Sequence, residues 1–204
     1  MHPRNRYYTG IGSRQTPADI MAHMQNLARQ LGDAGWMVRS GGAEGADKAF
    51  EMGAPSGLRR IYLPWSSFSN GRNQEDCVVP STAFSKEIIQ QATNIASRFH
   101  PYWHGLKPGP RQLMIRNVFQ VLGDDLQTPS RFLWCWAPNP KINSQNKLTD
   151  VDGGTGMAVR LAASMNIPTY HFSRHWDAYV AYQEKKKLEG DTPPVLKQPR
   201  SIRL

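Results

Sequence analysis

Cysteine is scarce in this chain: Cys77 and Cys135 are the only two in 204 residues. Two thiols exclude a disulfide framework and a cysteine-rich zinc module. Long apolar runs are missing too. No stretch approaches the roughly 20 apolar residues that span a bilayer, so no membrane partner is expected. Met1 to Arg6 is polar and leads straight into a predicted strand, which predicts no signal peptide. Carboxylates are outnumbered, with 25 Lys+Arg against 16 Asp+Glu and a formal charge of +9. That excess points toward polyanions such as nucleotides or nucleic acid. What is present, 39% apolar and 10% aromatic residues, argues against wholesale disorder. The expectation is a cytoplasmic α/β protein with one full hydrophobic core.

Along the chain, Tyr7-Tyr8-Thr9 reads as a first strand running into Gly10-Ile11-Gly12-Ser13-Arg14. Thr16 as cap and Pro17 at the first helical position open a helix whose apolar stripe is Ile20, Met24, Leu27 and Leu31. Trp36–Ser40 is a second strand, Gly41 to Asp47 a second glycine turn with a short helix through Phe50, and Arg60–Pro64 a third strand. This tempo is that of right-handed βαβ units, so the predicted fold is a Rossmann-like open, mostly parallel sheet with helices on both faces. Residues 65–85 read as a polar surface excursion with a turn at Asn70-Gly71. Helices are expected over 85–99 and 111–122, the latter after a break at Lys107-Pro108-Gly109-Pro110. Arg131 to Ala137 is a strand covered on both faces, and 138–152 a long polar loop. A third glycine turn, Gly153-Gly154-Thr155-Gly156, precedes a helix and a last central strand over 167–171. A single domain over 1–180 is expected, followed by a basic, loosely held tail over 181–204 that includes Lys185-Lys186-Lys187.

Three glycine-dense turns at strand-to-helix junctions lie along one edge of such a sheet, where ligands bind. Glycine lets the backbone approach an anion closely, and a helix start offers unpaired N–H groups. Gly10, Gly12, Ser13 and Arg14 supply amides, a hydroxyl and a cation, and Gly153, Gly154, Thr155 and Gly156 supply the same set without the cation. Any one alone is an ordinary tight turn; three together point to a phosphate-bearing ligand. The dinucleotide fingerprint is not met, because Gly10-Ile11-Gly12-Ser13-Arg14-Gln15 lacks the third glycine. An NAD dehydrogenase is thereby disfavoured, and no cofactor is expected.

Gly12-Ser13-Arg14, the run Ser40-Gly41-Gly42-Ala43-Glu44-Gly45-Ala46-Asp47, Arg116-Asn117 and the late Gly-Gly-Thr-Gly turn together resemble the SLOG superfamily over residues 7–172. Within it the chain looks most like small DprA-like proteins of bacteria and phages. The resemblance implies a nucleotide or nucleotide-derived ligand held by Gly10, Gly12, Ser13, Arg14, Ser40, Gly41, Gly42, Asp47, Asn117 and the residues Gly153 to Gly156. It also implies a homodimer, which nothing in the residues specifies. DprA binds single-stranded DNA, but where its second turn is basic this chain has Glu44, and a carboxylate repels a DNA backbone. LOG-type phosphoribohydrolases pair an arginine, matched by Arg116, with a glutamate at the place taken here by Arg160. The hydrolase pair is broken. Glu44 stands as a substitute carboxylate for N-glycosidic cleavage beside Arg116, or as a partner for ribose hydroxyls. The alternative expectation is a DprA-like single-stranded DNA binder in DNA processing. Asp47 also reads as a helix cap, and Arg116 as a solvated face. His100 with His104 and His171 with His175 lack the intervening glutamate of a zinc helix, so no metal site is expected. Trp65 and Trp103 are candidates for stacking on a base, and Trp134 and Trp136 for the core.

Overall fold

The structure, a computed structural model, describes residues 6–69 and 76–188. Six strands form one sheet in the order β4-β3-β2-β1-β5-β8, and every pairing in it is parallel. They are β1 (Tyr7–Gly12), β2 (Met37–Ser40), β3 (Arg59–Tyr62), β4 (Cys77–Val78), β5 (Leu133–Trp136) and β8 (Thr169–His171). The chain fills β2, β3 and β4 on one side of β1, then crosses to β5 and β8 on the other. Strand order therefore reverses at β1, and this is the Rossmann-like α/β fold that the sequence predicts.

Alternation along the strands feeds two cores. Tyr8, Val38 and Trp134 face α1 (Ala18–Asp33), α2 (Ala46–Gly53) and α7 (Phe172–Leu188). Ile11, Tyr62, Leu133 and Cys135 face α4 (Lys86–Phe99), α5 (Pro108–Leu122) and α6 (Gly153–Ser164). Trp134 is 2% exposed and packs against Phe172, Trp176 and Tyr179, an aromatic cluster that seats α7.

Several features differ from the sequence reading: the last strand, expected to be central, is the edge strand β8, which pairs with β5 alone among the described residues. The excursion over 65–85 holds the edge strand β4 and α3 (Pro80–Ala83); its Asn70-Gly71 turn lies outside the described residues. The proline-rich break before residue 111 is the first turn of α5, where a proline's missing N–H costs nothing. The loop 138–152 contains the antiparallel hairpin β6 (Lys141–Ile142) and β7 (Leu148–Asp150). Thr16 does not cap α1: the cap position is Pro17, and the Thr16 hydroxyl donates to the Ser13 carbonyl at 2.7 Å. α7 carries helix past residue 180, the limit expected from composition; residues 189–204 lie outside the described residues. No helix among the described residues is long and apolar enough to cross a membrane.

Candidate functional site

A cleft of about 370 Å³ opens at the carboxyl edge of the sheet, where strand order reverses. The segment after β1 supplies Gly12 to Gln15, the turn after β2 supplies Ala43, and α2 supplies Asp47. Across from them α5 presents Leu113, Met114, Arg116 and Asn117, and the start of α6 presents Asp152 to Thr155. Leu113, Arg116 and Asn117 are three and four residues apart, so one helix face delivers all of them.

At the base of the cleft Arg116 and Asp47 form an ion pair at 3.0 Å, their side chains 6% and 2% exposed. The Asp47 carboxylate also accepts from the Gly12 and Ala43 N–H groups, each at 3.3 Å. One carboxylate thus ties the end of β1, the second glycine turn and α5 together. Arg116 Nη1 donates in addition to Gln120 Oε1 at 3.2 Å, whereas its Nε is buried without a hydrogen-bond partner. A buried donor left unpaired is costly, and it marks where an acceptor is wanted.

The third glycine segment is the first turn of α6 rather than a loop before it. Gly153 enters the helix at φ +71°, a left-handed conformation that favours glycine. The N–H groups of Gly153, Gly154 and Thr155 have no acceptor within the helix. They carry the partial positive charge of the helix start. Asn117 Nδ2 donates to the Gly154 carbonyl at 3.1 Å and fixes this turn against α5. Arg14 is exposed at the rim, and no ion pair or side-chain hydrogen bond restrains it among the described residues. Ser13 Oγ accepts from the Gln15 N–H at 3.1 Å, which shapes the turn after β1. Ile11, Leu113 and Met114 give the cleft an apolar wall.

Gly12, Ser13, Arg14, Asp47, Arg116, Asn117, Gly153, Gly154 and Thr155 are brought together here. Ser40, Gly10, Gly41, Gly42 and Gly156 do not line the cleft. Gly10 and Gly12 are strand residues. A Cβ on Gly10 would sit 2.5 Å from the Phe50 ring, one on Gly12 2.4 Å from the Trp136 carbonyl, and one on Gly156 2.2 Å from the Val151 carbonyl. Gly41 makes room for Arg116 itself, whose Nη1 lies 1.1 Å from where a Cβ would be. Ser40 Oγ donates to the Gly10 carbonyl at 2.7 Å and crosslinks β1 and β2.

Glu44 points elsewhere. Its side chain is 72% exposed and pairs with Lys48 at 3.2 Å, outside the cleft lining. Arg160 pairs with Asp150 and donates from Nε to the Phe99 carbonyl at 2.9 Å, so it clasps α6 to α4 behind the cleft. Arg111 donates to the His104 carbonyl at 3.1 Å and lies over the Trp103 ring, apart from the cleft lining. Trp65 packs edge-on against Phe68, and neither Trp65 nor Trp103 reaches the lining. Sequence reasoning missed Asp152, whose carboxylate accepts from Asn139 Nδ2 at 2.7 Å, together with Gln15, Ala43, Leu113 and Met114. The helical spacing of Leu113 from Arg116 is the signal that could have found it.

In the two spaced histidine pairs, the rings of His100, His171 and His175 are held by backbone. His171 Nδ1 accepts from the Ser173 N–H at 3.2 Å, and Nε2 faces the Ala137 carbonyl at 2.9 Å. His175 Nδ1 accepts from the His171 N–H at 2.9 Å, and Nε2 faces the Asn146 carbonyl at 3.0 Å. Burial holds the His171 imidazole below the ordinary histidine range. His100 Nδ1 accepts from the Tyr102 N–H at 3.2 Å. No group of three or more metal-ligating side chains occurs among the described residues.

Fold and cleft together define a Rossmann-like α/β protein with a cleft at its topological switch point. No family model matches the chain, and no curated protein is similar to it. A solved structure it is similar to is DNA processing protein A from Helicobacter pylori, reported for its single-stranded DNA binding mode. The two are 16% identical with a TM-score of 0.46, over 81% of this chain and 64% of that one. The chain thus covers less than two thirds of that neighbour.

Proposed function

We propose that this is a SLOG-type protein that binds a nucleotide or nucleotide-derived molecule in the carboxyl-edge cleft. The observation that carries this reading is the meeting of a helix start and a guanidinium in one cleft. The first turn of α6 offers three N–H groups without helical acceptors, and Arg116 lines the same cleft at its base. A phosphate suits both, as anions do at helix starts. Arg14 adds a cation free to close over it. The apolar wall of Ile11, Leu113 and Met114 suits a base or ribose face. A volume of about 370 Å³ lies at the small end of ligand pockets, and favours a mononucleotide-sized ligand over a dinucleotide.

Binding without cleavage is the better-supported activity. Glycosidic hydrolysis needs a carboxylate beside the sugar. Glu44 is paired with Lys48 outside the cleft, Asp47 is locked against Arg116, and Asp152 is engaged by Asn139. The test is calorimetry with nucleoside monophosphates, ADP-ribose and NAD, with chromatography of each mixture after incubation. Saturable binding of a mononucleotide without release of free base supports the proposal. Release of free base would restore the hydrolase. Salt-dependent binding of single-stranded DNA with no mononucleotide binding would favour the DNA-processing alternative instead.

A further inference from the structure

We infer a second anion site, at the amino-terminal edge of the sheet and remote from the cleft: Arg39, backed by Arg60, receives the oxyanion of a small phosphorylated or carboxylated molecule. A cavity of about 750 Å³ opens there beside β1, β2 and β3, and Tyr7, Arg39, Arg60, Tyr62 and Thr128 are among its walls. It lies on the sheet face that α5 covers, past the end of that helix at Leu122.

Arg39 is 4% exposed, yet it forms no ion pair among the described residues. Its Nη1 donates to the Thr128 carbonyl at 2.6 Å, its guanidinium lies 4.0 Å over the Tyr7 ring, and its Nε is buried without a partner. Packing against Gly123, where a Cβ would lie 2.5 Å from Nη2, holds the group in place. A buried guanidinium without a directly paired carboxylate carries a large desolvation cost; Asp124 and Asp125 act on it, but both are hydrogen-bonded elsewhere. Burial accordingly pulls the Arg39 pKa down from the ordinary guanidinium range.

Register adds an independent observation. Arg39 and Arg60 are direct partners across β2 and β3, so two cations share one face of the sheet. Like charges so placed repel. Only one of them is directly paired among the described residues: Asp124 pairs with Arg60 and accepts from the Tyr62 hydroxyl at 2.7 Å. Asp125 is turned into its own loop, accepting from the Gln127 and Thr128 N–H groups at 2.9 Å and from the Thr128 hydroxyl at 2.7 Å. Asp76 is taken by Arg59 at 2.9 Å. Asp124 and Asp125 act on Arg39 only from a distance, and an oxyanion bound in the cavity beside its guanidinium supplies a direct counter-charge.

The experiment is nitrogen-15 NMR of the arginine Nε–H groups in the full chain, titrated at constant ionic strength with inorganic phosphate and, separately, with malonate. The expected result is a saturable shift of the Arg39 Nε–H together with the Gly123 and Thr128 amides. Response to phosphate alone assigns a phosphorylated ligand, and response to malonate alone a carboxylated one. Arg60→Gln removes the second cation and leaves Asp124 unneutralised, so it should weaken binding about tenfold while the fold persists. Arg14→Gln removes the free cation of the opposite edge and should leave this titration unchanged. An Arg39 Nε–H that stays still in both titrations, or drifts without saturating, overturns the proposal. Weakening by Arg14→Gln but not by Arg60→Gln overturns it equally, because the anion would then be sitting in the carboxyl-edge cleft.

Discussion

Gly41→Ala is the sharpest perturbation of the cleft that does not touch a charged residue. Gly41 lies outside the left-handed region, so its backbone accepts alanine without strain. The obstacle is Arg116, whose Nη1 occupies a point 1.1 Å from the new methyl carbon, with Asp47 Oδ2 at 2.7 Å. The guanidinium must leave, and its pair with Asp47 at 3.0 Å breaks. Removing one partner of a buried pair costs about 3–5 kcal/mol. Here Asp47 keeps two N–H donors, although both bonds are long at 3.3 Å, and the displaced arginine regains water at the cleft. A loss of about 2–4 kcal/mol is therefore expected, read from urea unfolding as a lower midpoint at unchanged slope. Calorimetry on the same variant should show nucleotide affinity lost. The decisive arm is Gly41→Ala in an Arg116→Ala background, where the collision with Arg116 no longer exists and only the Asp47 carboxylate must shift. The second substitution should then cost less than half as much, leaving a coupling of about 1.5–3 kcal/mol. Additivity of the two single losses to within about 0.5 kcal/mol would refute the account of Gly41 as the space for Arg116.

Three further outcomes follow from the same geometry. Arg14→Gln should lower affinity for the mononucleotide about tenfold and leave the unfolding midpoint unchanged, because its side chain is exposed and held by nothing; a shift in midpoint would show a structural role. Glu44→Gln should change neither binding nor turnover of any nucleotide, and a loss of ligand in calorimetry would return Glu44 to the site. Acid should destabilise the fold through His171. Its pKa is lowered by burial, so the unfolded chain binds the extra proton first. The stabilisation is complete above the ordinary histidine pKa of about 6.5 and is lost as pH falls below it. Unfolding midpoints measured from neutral to mildly acidic pH should fall, and His171→Asn should flatten that slope; a slope unchanged in the variant would assign the acid sensitivity elsewhere.

Most of the sheet was legible in the sequence because each buried strand is a short apolar run closed by glycine or proline. The elements that were not legible are those that tertiary pairing creates. β4 is two residues long, and only its parallel partner β3 makes it a strand. The hairpin β6–β7 lies in a polar loop anchored to the core by the scattered apolar residues Ile142, Leu148 and Val151. α7 carries little amphipathic pattern, and it is Phe172, Trp176 and Tyr179 packing on Trp134 that dock it. At the site, Arg116 and Asn117 were visible as a pair on one helix. Their partners were not, because Asp47 lies 69 residues from Arg116 and Gly154 lies 37 from Asn117.

Glycine density was the signal that drew attention to this edge, and its physical origin is mixed. Gly10, Gly12 and Gly156 are small because Phe50, Trp136 and Val151 press on them, and Gly41 is small because Arg116 lies on it. Of these positions only Gly12 lines the cleft. Yet this crowding seals the base of the cleft, buries the Arg116–Asp47 pair and leaves Arg116 Nε with no acceptor of its own. Chemistry at the edge then rests on few groups: the first turn of α6, opened by Gly153, the vacant side of Arg116 and the free Arg14. The overall charge divides in the same manner. Arg116 is spent on Asp47, Arg160 on Asp150 and Arg60 on Asp124, so the +9 of the whole chain says little about either proposed anion site. What the two proposed sites share is a buried arginine in a cavity wall, Arg116 on one edge of the sheet and Arg39 on the other.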